Sequence, residues 1–180
     1  MLQRQPITKK TKDFQTVKEL YLSAFPKSER APMWFLLKRT NREGIEFYAY
    51  YDQEVFAGFS YTITQGDLTF LLYIAVNGNS RSKGYGAQMM NEIKNRYPNN
   101  RIVLNIEAED EKAPNNEQRK KRKNFYVRNG YLSTEFSLKK GDDVFEVMCN
   151  NGTCTVAEFQ WLFKNFLGPM LYPFHKPEIL

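Results

Sequence analysis

The stretch from Ile45 to Val76 constrains the fold more than any other part of the chain. Ile45, Phe47, Ala49 and Tyr51 alternate with Glu46, Tyr48 and Tyr50, the period of two that lays one face of a strand on a core. Asp52-Gln53 is a turn signal before a second run, Val55 to Ile63, and Gln65-Gly66-Asp67 is another before a third, Leu68 to Val76. The third run is apolar on both faces, as a central strand must be. Three strands of a meander are therefore expected here, and the rest of the chain has to cover them.

Phe14, Val17, Leu20, Tyr21 and Ala24 recur at helical spacing and stop at Pro26, which predicts a helix over about 12–25. A shorter helix starts near Pro32. After the meander, Met89, Met90, Ile93 and Tyr97 mark the apolar face of a helix ended by Pro98, and a strand follows from Arg101 to Glu107. The segment from about Glu117 to Arg128 reads as a helix closed by Gly130. Strands at about Tyr131 to Lys139 and Val144 to Cys149, joined by Lys140-Gly141-Asp142-Asp143, read as a hairpin. Thr155 and Glu158 form a capping box for a helix over about 155–167, and the residues from Pro173 read as a loose tail, 173–180. No repeat or Gly/Ser-rich seam divides this order, so a single α+β domain over residues 1–172 is expected.

The residue inventory removes several chemistries. His175 is the only histidine and lies in the expected tail, which leaves no histidine triad and no metal site. Cys149 and Cys154 are too few and too local for a disulfide framework and are expected to be reduced. There is no apolar run of the length a membrane span needs, and Met1-Leu2-Gln3-Arg4 lacks a secretory signal's apolar stretch, so a cytoplasmic protein off the membrane is expected. The net charge of +6 favours an anionic ligand. Part of that charge is a block, Arg119 to Lys123 with Arg128. An acidic cluster, Glu107, Glu109, Asp110 and Glu111, precedes it, and the two read as different surfaces.

Chemistry concentrates at Arg81-Ser82-Lys83-Gly84-Tyr85-Gly86-Ala87, between the apolar strand and an amphipathic helix. A turn so placed presents backbone N–H groups at a helix N-terminus, where an anion is stabilised. Gly84 and Gly86 let the backbone approach a diphosphate closely, and Arg81 and Lys83 add charge-assisted hydrogen bonds.

This Arg-x-x-Gly-x-Gly run after a central strand resembles the acetyl-CoA pyrophosphate loop of the GNAT superfamily of N-acetyltransferases. The order of elements over roughly residues 5–150 is also similar to that superfamily's, as is Asn124-Phe125-Tyr126-Val127-Arg128-Asn129-Gly130-Tyr131 at the end of its fourth helix. The resemblance implies an α+β fold with a mixed central sheet of about seven strands flanked by helices. It implies acetyl-CoA as cosubstrate without a metal, held by residues 81–87 and by the backbone of Ile74, Ala75 and Val76. It also implies that Tyr126 returns a proton to the departing thiolate. Phe25-Pro26-Lys27-Ser28-Glu29-Arg30 resembles a stretch in a subgroup of small bacterial members, and Glu29 and Arg122 are the expected acceptor-binding residues. Arg119 and Arg122 depart from the asparagine and small residue that many members carry seven and four positions before the tyrosine.

An alkylamine acceptor with a pKa near ~10 must lose a proton before it attacks at neutral pH. Glu107, at the end of its strand and beside an acidic loop, is the expected base. The acceptor itself, a small-molecule amine or a protein amino group, is not written in the chain, and a homodimer built on the aromatic C-terminal helix is open. A CoA-binding sensor without catalysis is a second reading. A dinucleotide-binding oxidoreductase is a weaker third, because Met89 stands where its fingerprint needs a third glycine and three meander strands precede the loop. A nucleic-acid partner is not expected, since the basic helix carries no reading motif.

Overall fold

The computed structural model describes residues 2–78 and 84–180. Its elements in chain order are β1 (Gln3–Pro6), α1 (Phe14–Ala24), α2 (Met33–Arg39), β2 (Ile45–Asp52), β3 (Val55–Gln65), β4 (Leu68–Val76) and α3 (Tyr85–Arg96). Then come β5 (Arg101–Glu107), α4 (Asn116–Arg128), β6 (Leu132–Lys140), β7 (Asp143–Asn150), α5 (Val156–Leu167), α6 (Tyr172–His175) and β8 (Glu178–Ile179). Among the described residues the sheet has eight strands in the order β1-β2-β3-β4-β5-β7-β6-β8, a mixed sheet flanked by helices. The sequence locates six of these strands, and the two it does not locate are the short edges β1 and β8.

The chain clusters into two compact units, Met1–Ile63 with Leu71–Pro98, and Thr64–Phe70 with Asn99–Leu180. In the first, β1, β2 and β3 pair antiparallel, and the β2–β3 turn passes through Gln53 at φ 56°, as the Asp52-Gln53 signal predicts. The core is aromatic: Tyr21 of α1 meets Tyr73 of β4 at 5.0 Å between ring centroids, and Phe47 meets Phe59 at 5.7 Å, both edge-on. Edge-to-face rings add to the burial of their area.

Gly58, buried in β3, marks a close approach of β3 to β4. A Cβ there would lie 2.2 Å from the Ala75 carbonyl oxygen and 3.1 Å from the Val76 Cα. The end of β4 is tied to β3 at the same level, where the Asn77 N–H donates to the Ala57 carbonyl at 2.8 Å and Asn77 Nδ2 to that of Phe56 at 3.2 Å.

In the second unit β5 pairs antiparallel with β7, and β7 with β6. The parallel pairing of β5 with β4 covers only Leu68–Phe70 against Arg101–Val103. Helix α5 begins at the expected capping box, with Glu158 N–H donating to Thr155 Oγ1 and Thr155 N–H to Glu158. Its Phe159 packs on Phe70 and Phe136. Arg101 fastens the helix start, reaching Glu158 at 2.7 Å, Asp67 at 3.1 Å and the Thr153 carbonyl at 2.8 Å.

The Arg101 hydrogen bond, with those from Thr155, holds Glu158 down at about 2 against an ordinary value of 4.5. A depressed carboxylate stabilises the fold fully above its unfolded pKa and loses that contribution as pH falls toward the folded one. Glu158→Gln is therefore expected to destabilise the protein at pH 6 and to match the parent near pH 2. Urea unfolding at both pH values checks this, and an equal deficit at both would contradict it.

The expected loose tail at 173–180 is a correction. It carries the end of α6 and β8, which pairs with β6 through Leu138↔Ile179 and Lys139↔Glu178. Ser137 and Leu180 exchange backbone hydrogen bonds of 2.9 and 3.3 Å. The open edge of β6 offers backbone donors and acceptors that this segment satisfies, and two residues are too few to show a period in sequence.

Candidate active site

Backbone geometry at the start of α3 fits an anion cradle. Gly84 stands at the N-cap with φ 71°, a left-handed conformation that costs glycine little and other residues more. No heavy atom of a described residue lies within 4 Å of where its Cβ would be, so the described residues leave that side of Gly84 open. The Gln88 N–H donates to the Gly84 carbonyl at 3.1 Å, which leaves Gly86 and Ala87 in the first turn, ahead of that bond. Arg81, Ser82 and Lys83 lie outside the described residues.

The side chain of Tyr85 turns into the core. Its ring is buried with Leu2, Tyr50, Ala57 and Met89, while Ile74 and Val76 of β4 pack against the same cluster. Its hydroxyl donates to Asp52 Oδ2 at 2.6 Å. The side chain therefore anchors the helix start.

Tyr126 sits on α4 with its ring 5.9 Å from that of Tyr131 and 5.2 Å from that of Phe125. Its hydroxyl makes no hydrogen bond to a described residue, and burial pushes its pKa up to about 12 against the opposing charge of Arg122. A phenol in that state keeps its proton at neutral pH and has one to give.

Glu107 is clamped. Burial alone would raise its pKa, but a 2.6 Å bond from Arg122 Nη1, a 3.3 Å bond from Asn115 Nδ2 and the nearby Arg119, 3.2 Å away, hold it below the usual carboxylate range. A carboxylate so held accepts a proton poorly, so its geometry suits fixing α4 against β5 better than the base role expected from chain order. Glu107→Gln is accordingly expected to leave the shape of the pH profile of kcat/KM unchanged. Loss of a limb of that profile would restore the base assignment.

Arg119, which departs from the family pattern, is nearly buried and spent on the fold. Its Nη1 donates to the Ala108 carbonyl at 2.9 Å and its Nε to Asn115 Oδ1 at 2.9 Å. Arg122, expected to meet substrate, is 41% exposed while bound to Glu107. The basic block and the acidic cluster are not separate surfaces, because Glu107 takes Arg119 and Arg122, and Lys123 lies 3.8 Å from Glu109 and 3.0 Å from Glu146. Helical spacing alone could not show that pairing, which joins residues on different elements.

Glu29 lies in the α1–α2 loop, half-buried, with its carbonyl accepting from the Tyr73 hydroxyl at 2.8 Å. The same hydroxyl accepts from the Ala31 N–H at 3.1 Å, and Tyr21 donates to the Ala31 carbonyl at 2.9 Å. These two tyrosines, missed in the sequence as anything but core, fix the loop. Among the described residues no group of three or more His, Cys, Asp or Glu could hold a metal ion, and no helix is long and apolar enough to cross a membrane.

A strand followed by a glycine at a left-handed N-cap and a helix N-terminus, in a mixed α+β sheet, is an arrangement suited to an anionic ligand. The chain belongs to the acetyltransferase (GNAT) family, whose profile matches residues 14–131, and it is an acetyltransferase. Among solved structures it is similar to a Bacteroides thetaiotaomicron protein assigned to the GNAT family, at TM-score 0.70 and 23% identity over 94% of this chain and 96% of that one. It is also similar to a GNAT-family acetyltransferase from Elizabethkingia anophelis with acetyl-CoA bound, at TM-score 0.58 and 12% identity over 83% and 97%. A third likeness is to spermidine N-acetyltransferase from Vibrio cholerae in complex with CoA and spermine, at TM-score 0.64 and 12% identity over 82% and 94%. At these identities the likeness is one of fold. A search of curated proteins found no match.

Proposed function

We propose that this chain transfers the acetyl group of acetyl-CoA to a primary amine of a small molecule. The observation that carries the reading is the left-handed Gly84 at the N-terminus of α3, inside the span that matches the family. Those residues fit a diphosphate, with the N–H groups of the first turn facing it. The coenzyme supplies an activated acetyl thioester. The backbone of Ile74, Ala75 and Val76 would hold the pantetheine arm and polarise the acyl carbonyl. Tyr126, protonated at neutral pH, would give its proton to the departing sulfur. Glu29 and the exposed part of Arg122 would meet the acceptor.

Small amines are favoured because two of the similar structures are named for them, an aminoglycoside 6'-N-acetyltransferase and a spermidine N-acetyltransferase. A panel of polyamines, aminoglycosides, amino acids and lysine peptides, offered with acetyl-CoA and followed by release of free thiol, tests this. Thiol release with at least one small amine is expected. Binding of acetyl-CoA without release to any acceptor would instead favour a sensor.

A further inference from the structure

Asp52 and Tyr85 are 33 residues apart in sequence, yet the Tyr85 hydroxyl donates to Asp52 Oδ2 at 2.6 Å. Asp52 is the exposed last residue of β2, at the β2–β3 turn, and the residue after it, Gln53, adopts φ 56°. Tyr85 is the first residue of α3, next to the left-handed Gly84. Its ring is packed among Leu2, Tyr50, Ala57 and Met89, so the hydrogen bond joins the β2–β3 turn to the start of α3.

We infer that Asp52 is a positioning residue for the coenzyme: through the Tyr85 hydroxyl it sets the direction in which the first turn of α3 presents its N–H groups. The inference rests on the proposed use of that helix end to bind acetyl-CoA. The physical ground is that hydrogen bonds to a diphosphate need donors aimed within a narrow cone, and helix ends fray unless tied. A carboxylate beside a helix N-terminus is itself favourable, but it would repel a bound diphosphate. A purely electrostatic role would therefore make removal of the charge tighten coenzyme binding. A positioning role makes loss of the hydrogen bond weaken it, whichever partner is removed.

The experiment is calorimetric titration of CoA into the full chain and its variants, with circular dichroism showing each to be folded. Tyr85→Phe and Asp52→Ala are each expected to raise Kd about tenfold, and the double variant no further than either alone, because both remove one interaction. Asp52→Asn, which keeps an acceptor oxygen, is expected to stay within about threefold of the parent. Unchanged or tighter binding by Tyr85→Phe and Asp52→Ala, with the parent binding normally, would overturn the inference. Additive losses in the double variant would do the same. A parent chain that does not bind CoA would remove the donor reading and this inference with it.

Discussion

Tyr126→Phe is expected to lower kcat about a hundredfold while leaving the melting temperature within a degree or two of the parent, since general acid catalysis contributes factors of roughly 10²–10⁴. The asymmetry follows from the surroundings of the side chain. Its ring packs on Tyr131 and Phe125, and phenylalanine keeps that packing. Its hydroxyl bonds no described residue, so the fold does not draw on it. With a pKa near 12, the phenol stays protonated across the neutral range. Its removal should therefore lower the whole pH profile without shifting its limbs. Thiol-release kinetics from pH 6 to 9, on an acceptor found in the panel, measure this. Full turnover by the phenylalanine variant would remove Tyr126 from the chemistry.

Gly58→Ala is expected to destabilise the protein by about 1–3 kcal/mol, the usual cost of forcing extra volume into a packed interior. The conflict is with backbone rather than with a flexible side-chain end, because the new methyl would meet the Ala75 carbonyl oxygen at 2.2 Å. Relief requires β4 to move away at Ala75–Val76, the segment proposed to hold the pantetheine arm, so the KM for acetyl-CoA should rise as well. Gly78→Ala is the matched control, since no described residue lies within 4 Å of its would-be Cβ and its backbone is not left-handed. Urea unfolding should place the control within about 0.5 kcal/mol of the parent. Equal stability of the two variants would show that β3 and β4 are not in the contact described.

Local signals carried most of the architecture. The alternation from Ile45 to Tyr51, the Asp52-Gln53 turn and the Thr155–Glu158 capping box depend on neighbours in sequence, and each appears where those neighbours place it. The place of Gly84 is legible for the same reason, as a glycine between a strand and a helix, though its left-handed φ is not. What stayed hidden depends on residues brought together from afar. Glu107 reads as a free carboxylate at a strand end, and only folding sets Arg119 and Arg122 against it. Tyr85 reads as part of a phosphate loop, and only folding brings Asp52 to its hydroxyl. The β8 strand is two residues long and exists because β6 has an edge to cover.

The helix end after β4 is proposed to receive the diphosphate of coenzyme A. Isothermal titration of acetyl-CoA into the purified, folded chain tests it most directly. A saturable heat with one site per chain is expected, weakened by added salt because charge-assisted contacts contribute. A folded chain that gives no heat of binding with acetyl-CoA or with CoA would contradict it.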